Sequence, residues 1–225
     1  NGEFTKEDIE ECFRNICSYS IYSHQNEIRN GYVTLVGGHR VGISGTAVMD
    51  NGEISGIRDI SSINIRIARE IAGSANELLD SLKNNVSTGL LIAGPPVSGK
   101  ATLLRDIARQ LASGVLGNIR KVAVIDERGE LAGTCMGVPQ NDLGVCSDIL
   151  DGYPKAQGIM QAIRCLSPEY IVCDELGGYD EVSAVEQSLN AGVIMISSIH
   201  AGSLEEFLKK RQAVSLLETG AFGSV

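Results

Sequence analysis

Leu90-Leu91-Ile92-Ala93-Gly94 is an apolar run that reads as a buried strand, and it enters Pro95-Pro96-Val97-Ser98-Gly99 before Lys100-Ala101-Thr102-Leu103-Leu104. After Lys100, the residues Leu103, Leu104, Ile107, Ala108 and Leu111 recur at helical spacing. A loop of Gly, Pro and Ser between a strand and a helix, with Lys opening the helix, can cradle phosphate. Successive backbone N–H groups and the helix N-terminus surround the anion, and the lysine reaches the β- and γ-oxygens. The candidate nucleotide-binding residues are therefore Gly94, Pro95, Pro96, Val97, Ser98, Gly99, Lys100, Ala101 and Thr102. One position departs from the phosphate-loop motif, which calls for Ser or Thr after the lysine to meet Mg²⁺ and here has Ala101. The competing reading is a Gly/Pro-rich turn that happens to precede a lysine, and the agreement of motif with context speaks against it.

Two further strand ends carry acids. Tyr170-Ile171-Val172-Cys173 runs into Asp174-Glu175, where a nucleotide-hydrolysing site would hold Mg²⁺ through Asp174 and polarise water with the next acid, Glu175. Val122-Ala123-Val124-Ile125 runs into Asp126-Glu127-Arg128-Gly129-Glu130, at the edge where open α/β sheets bind ligands. Each acid there reads equally as part of a solvated charged turn. His200 closes Val193–Ile199, just ahead of Ser203-Leu204-Glu205-Glu206, a capping box for the next helix. A lone histidine is usually structural, but one beside three other polar strand ends is a candidate for sensing a γ-phosphate. Thr5–Asp8 matches the guanine-specificity tetrad only formally, since it precedes the loop and falls in another domain, so adenine is the expected base.

The elements that must position these residues fall into two groups. Residues 5 to 83 read as a small α+β unit: a helix opened by Thr5-Lys6-Glu7-Asp8, short strands at Tyr32–Val36, Val41–Ile43 and Thr46–Met49, and a hairpin signal at Asn51-Gly52. An alternating segment, Ile63–Ile67, and a helix carrying Ile71, Leu78 and Leu82 follow. The polar stretch from Asn84 to Gly89 reads as the linker, giving domains 1–86 and 87–225. Beyond it, strands and helices alternate, which predicts an α/β fold with a mostly parallel sheet and helices on both faces. The ending Phe222-Gly223-Ser224-Val225 reads as the start of a strand in a domain cut short.

The chain has 225 residues, a formal charge of −9 and a hydrophobic fraction of 43%, enough for one or two domains with a sizeable core. The acidic balance argues against non-specific nucleic-acid binding, which needs a basic surface. No apolar run reaches the roughly eighteen residues that a spanning helix needs, so no direct membrane span is expected. Cys12, Cys17, Cys135, Cys146, Cys165 and Cys173 form no CxxC pair and no zinc spacing, which reads as reduced thiols in the cytoplasm.

Taken in order, the phosphate loop, acidic box, Asp-Glu box and histidine box resemble those of the secretion-type hexameric P-loop ATPases. Gly37-Gly38-His39-Arg40-Val41-Gly42, Ile60–Glu70, Ile125–Glu130 and Ser198–Ser203 look closer still to one branch of these, the stage III sporulation AA family. The resemblance implies a RecA-like P-loop domain behind a small α+β domain, and ATP and Mg²⁺ as cofactors. It further implies a homo-oligomeric, hexameric ring, cytoplasmic and peripheral to the membrane facing the forespore. The partners would be membrane proteins of the sporulation channel between mother cell and forespore. By position, Lys100 would bind the β/γ-phosphates and Asp174 would hold the metal shell. Glu130 and Glu175 would position water, and His200 would read the γ-phosphate. Arg40, Arg58, Arg66 and Arg69 lie in the first domain, from which that family supplies arginines to nucleotide, although surface salt bridges would explain any single one of them. Two residues depart from the family pattern: Val97 stands where Gly is usual and Ala101 where Thr is usual. Thr102 is turned about 100° round the helix and should not replace the missing hydroxyl. An ATP-hydrolysing motor and a non-hydrolysing ATP-binding ring or adaptor both fit, with a nucleic-acid-dependent RecA-like ATPase disfavoured by charge.

Overall fold

A computed structural model describes residues 4–18, 20–82 and 88–225, divided into two compact units. The domain boundary expected at 86/87, and most of the expected linker, lie outside the described residues. The units part after Arg69, and Gly133–Gln140 belongs with Asn1–Arg69.

In the first unit, helix α1 (Lys6–Ile16) starts at a capping box. The Asp8 amide donates to Thr5 Oγ1 at 3.2 Å, and the Thr5 amide donates to Asp8 Oδ2 at 2.8 Å. Thr5 and Asp8 are thus spent on closing a helix end, which accounts for the formal tetrad match. A 3₁₀ turn (Ile21–His24) and helix α2 (Gln25–Arg29) lead into β1 (Tyr32–Thr34), β2 (Arg40–Asp50) and β3 (Glu53–Arg66), an antiparallel sheet in the order β1-β2-β3. The two strands expected on either side of Gly45 are one strand with a bulge between Ser44 and Thr46. A Cβ on Gly45 would lie 2.6 Å from the Arg58 carbonyl oxygen, so only glycine passes there. Asn51 and Gly52 both take positive φ, 49° and 85°, and close the hairpin. Phe13, Cys17, Ile28, Val33, Ile43 and Ile60 form the core of this unit.

The second unit contains α3 (Asn76–Ser81), β4 (Leu90–Gly94), α4 (Lys100–Ala112), β5 (Val122–Asp126), β6 (Ser147–Asp151), α5 (Lys155–Cys165), β7 (Tyr170–Cys173), α6 (Tyr179–Asn190), β8 (Ile194–His200), α7 (Leu204–Lys209) and α8 (Arg211–Glu218). The five strands are parallel, in the order β4-β8-β7-β5-β6. Alternate residues feed two separate cores. Leu91, Ala123, Ile125, Ile171 and Met195 face α5, α6 and α8, whereas Leu90, Val122, Val124, Val172 and Ile196 face α3 and α4. Strands apolar on both sides can only be buried on both sides, which is why the runs lack polar alternation. The charged residues of β5, β7 and β8 are displaced to the strand ends.

The helix expected to include Ile71 is shorter. Ile71 lies outside α3 and is exposed, while buried Asp106 of α4 accepts the Gly73 and Ala75 amides at 3.0 and 2.9 Å and pins this segment to the core. Ser224 pairs in parallel with Leu90, beside the edge strand β4, and the Leu91 amide donates to its carbonyl at 3.0 Å. Among the described residues no helix is long and apolar enough to cross a membrane.

Helix α5 approaches β5 closely because Gly158 has no side chain; a Cβ there would sit 2.5 Å from Ile125 Cγ2. Gly158→Ala should therefore destabilise the fold by about 1–3 kcal/mol in urea unfolding. Equal stability of variant and parent would mean the helix has room to retreat.

Candidate nucleotide site

The register of the parallel sheet sets the site. Ile125 pairs with Cys173, so Asp126 and Asp174 leave β5 and β7 at the same level, while Gly94 pairs with His200 and puts the phosphate loop beside the histidine. Four elements thus deliver polar groups to one sheet edge.

Within the loop, Pro95 to Gly99 are exposed and Lys100 is buried at the start of α4. Val97 has φ 62° and Gly99 has φ 91°. The left-handed turn at residue 97 explains why glycine suits it, and a β-branched residue there carries a strain of about 1–3 kcal/mol. The Val97 side chain is fully exposed, so no packing compensates it.

Lys100 Nζ donates to the carbonyl oxygens of Gly94 (2.9 Å) and Pro95 (2.7 Å) and lies 3.0 Å from His200 Nδ1. An ammonium only donates, so His200 Nδ1 accepts, and its proton sits on Nε2, 2.8 Å from Glu175 Oε2. All three donors of Lys100 are used, and an entering phosphate must replace some of these bonds. Burial pushes the Lys100 ammonium below its ordinary value, and the Glu175 charge pulls it partway back. The structure therefore joins three sequence candidates, Lys100, His200 and Glu175, in one chain of contacts.

Asp126 is wholly buried and is spent on shaping the loop. Its carboxylate accepts the backbone amides of Glu130 (2.8 Å), Leu131 (3.1 Å) and Ala132 (2.7 Å). That holds Glu130, an exposed residue, near enough for its charge to act on Asp174. Burial raises the Asp174 carboxyl from an ordinary 3.8 to about 6, against the pull of Lys155 and with help from Asp126 and Glu130. Lys155, almost entirely buried at the first position of α5, went unnoticed in the sequence reading. Its Nζ lies 2.8 Å from Glu127 Oε2 and 3.2 Å from Asp174 Oδ1, the latter contact lying off the hydrogen-bond direction. Burial alone would lower this ammonium, and the two carboxylates override it and hold it above its ordinary value. Its position in the sequence, a lysine directly after Pro154 at the start of a helix where the dipole mildly disfavours a cation, is the one local signal for it.

The donor set for Mg²⁺ is poor. Ala101 offers a methyl group, Thr102 Oγ1 accepts from Arg105 Nη2 at 3.3 Å, and Asp174 already faces an ammonium. Among the described residues no cluster of three His, Cys, Asp or Glu side chains is arranged to hold a metal. The residues present do not fit the ion that the motif calls for.

The four arginines belong to the first unit. Arg40 stacks over the Tyr32 ring, with its guanidinium carbon 3.6 Å from the centroid, and Arg58 lies 3.7 Å from Asp59. Arg66 and Arg69 are exposed. Cys173 is buried, its thiol pushed up to about 12 by burial, and donates to Ser197 Oγ at 3.3 Å; it is an inert core group.

Two outcomes follow from this geometry. Val97→Gly should stabilise the chain by about 1 kcal/mol, the strain relieved exceeding the added chain entropy of glycine, and raise the thermal midpoint. A lower midpoint would show that the left-handed turn is not strained. Because the folded-state value of Asp174 lies above its ordinary one, its contribution to stability is present below pH 3.8 and is lost as pH rises toward 6. The loss is on the order of 2–3 kcal/mol. Asp174→Asn should remove that slope from urea unfolding measured across this window, and the same slope in both proteins would refute the assignment.

The profile of the family described as "Sporulation stage III, protein AA" matches residues 1–225. The chain is 42% identical over 219 residues to "Stage III sporulation protein AA" of Bacillus subtilis (strain 168), covering 97% of this chain and 71% of that one. Among solved structures, the Legionella pneumophila ATPase DotB superposes with a TM-score of 0.62 at 18% identity, covering 97% of this chain and 63% of its own. The pilus retraction motor PilT with bound ADP gives 0.54 at 14% identity, over 90% and 61%. The chain thus spans less than two thirds of these structural relatives. At such identities they show the fold alone, a RecA-like α/β domain preceded by a smaller one. With the profile covering every residue, the chain belongs to the Sporulation stage III, protein AA family.

Proposed function

We propose that the chain binds ATP at the loop Gly94–Thr102 and serves as a subunit of a homo-oligomeric ring. The ring acts on membrane proteins of the channel between mother cell and forespore, from the cytoplasmic side of that membrane. The observation that carries this reading is the join between Lys100, His200 and Glu175. A phosphate-binding ammonium, a γ-phosphate reader and a water-positioning acid stand in continuous contact across the start of α4, the end of β8 and the end of β7. A phosphate that takes Lys100 from His200 also changes what holds Glu175, so occupancy of the loop is transmitted to the adjacent strand ends. Glu130 is the second water-positioning acid in this reading. The arginines Arg40, Arg58, Arg66 and Arg69 supply charge to the nucleotide of a neighbouring copy, where an arriving guanidinium accelerates phosphoryl transfer.

Turnover by this sequence is slow in this reading, because the hydroxyl expected at residue 101 is missing and residue 97 is strained. Those same two residues favour a second reading, in which the ring binds ATP without hydrolysing it. Steady-state phosphate release at saturating Mg²⁺ separates the two.

The experiment that tests ATP binding is titration of Lys100→Ala. The variant should fold and lose at least about tenfold in ATP affinity, since a charge-assisted contact to phosphate is worth about 1.5–3 kcal/mol. Sedimentation of the parent with ATP should show association that the variant lacks. ATP affinity equal to that of the parent sinks the phosphate-loop reading.

A further inference from the structure

The buried lysine has no part in that reading, and its surroundings are unusual. Lys155 is only 5% exposed. It occupies the end of a helix that repels cations, and burying an ammonium is costly unless it is closely paired. Both penalties fall on one residue, and they are offset by the carboxylates the ammonium meets. It does one thing: it stands between Glu127 and Asp174, at 2.8 and 3.2 Å. Gly158 lets α5 close on β5 and so aims this side chain at the strand ends.

Asp174 Oδ1 is buried without a directed hydrogen bond among the described residues. Such a carboxylate oxygen is satisfied by charge rather than by a donor, as beside a metal ion. Around it lie Asp126, Glu127 and Glu130. Left alone, Glu127 and Asp174 would draw a cation into the place of the ammonium they share, and the carboxylate charges together would repel a triphosphate entering the loop. The other anchor that a divalent ion would use, a hydroxyl at residue 101, is a methyl group. The next hydroxyl along, on Thr102, is held by Arg105.

We propose that Lys155 is a built-in cation that takes the place of a divalent metal in the acidic pocket between the ends of β5 and β7, so that ATP is held at the neighbouring phosphate loop without Mg²⁺. The inference rests on the ATP-binding reading above. Phosphate charge is then met by Lys100, the loop amides and the N-terminus of α4, while Lys155 offsets part of the acidic charge that would oppose it. The ammonium is covalently tethered, so its positive charge stays in the pocket at any concentration of divalent ion.

The test has two independent arms. In the first, a fluorescent ATP analogue is titrated into the parent chain with Mg²⁺ and with EDTA. The two affinities should agree within about tenfold, a difference of about 1.4 kcal/mol. A larger loss in EDTA overturns the proposal. No binding in either buffer sinks the ATP reading instead, and the second arm then judges Lys155 on its own. In that arm Mn²⁺ alone, without nucleotide, is titrated and followed by electron paramagnetic resonance. The parent should leave Mn²⁺ free, Lys155→Gln should bind it at least about tenfold more tightly, and Lys155→Arg should behave as the parent. Mn²⁺ binding by the parent as tight as that of Lys155→Gln overturns the proposal. Should Lys155→Gln fail to fold, the parent is compared with Asp174→Asn. Equal Mn²⁺ binding supports the tethered cation, and tighter binding by the parent places metal at Asp174 and overturns it.

Discussion

The inner strands β5, β7 and β8 of a parallel sheet buried on both faces carry charged side chains only at their ends, and this constraint organises the molecule. Every strand of the second unit points the same way, so the residues that follow β4, β5, β7 and β8 emerge at one edge. The hydrophobic cores above and below the sheet, one against α3 and α4 and the other against α5, α6 and α8, fix that edge to within a residue. A one-residue slip between β5 and β7 would turn apolar residues of both faces the wrong way and separate Asp126 from Asp174. Packing energy far from the site thus specifies the position of its charged groups.

The gathered charges do not share one role. Asp126 is consumed by three backbone amides and sets the conformation of the acidic box. Asp174 and Glu127 are consumed by Lys155. Glu175 and His200 remain coupled to Lys100 and are part exposed. Five acids, Asp126, Glu127, Glu130, Asp174 and Glu175, stand at the ends of β5 and β7, and the buried ammonium of Lys155 is paired with two of them. The loop takes a left-handed turn at residue 97 even though that residue is valine.

Much of this was legible in the chain itself. The strand–loop–helix of the phosphate loop, the apolar strands ending in Asp126, Asp174 and His200, the Asn51-Gly52 hairpin and the mostly parallel sheet each follow from local pattern, as does family membership. The consequence of valine at residue 97 was also readable, because the steric rule for φ > 0 is independent of context. What escaped depended on partners distant in sequence. Strand β6 has an uneven burial pattern and no clean apolar run, so only its pairing with β5 reveals it. The continuity of β2 through Gly45 depends on a bulge against β3, and Ile71 was misread because its helical spacing is interrupted by a turn that Asp106 clamps.

The sequence by itself determined which residue types stand at which strand ends, because hydrophobic periodicity and turn residues act over a few positions. It could not determine how those ends share charge. Whether Asp174 is a metal ligand or half of an ion pair depends on a lysine nineteen positions earlier along the chain, brought in by the packing of a glycine in α5 against Ile125. That outcome belongs to tertiary structure alone: ion pairing in a buried pocket is decided by distances of a few ångströms, and only the assembled core sets those.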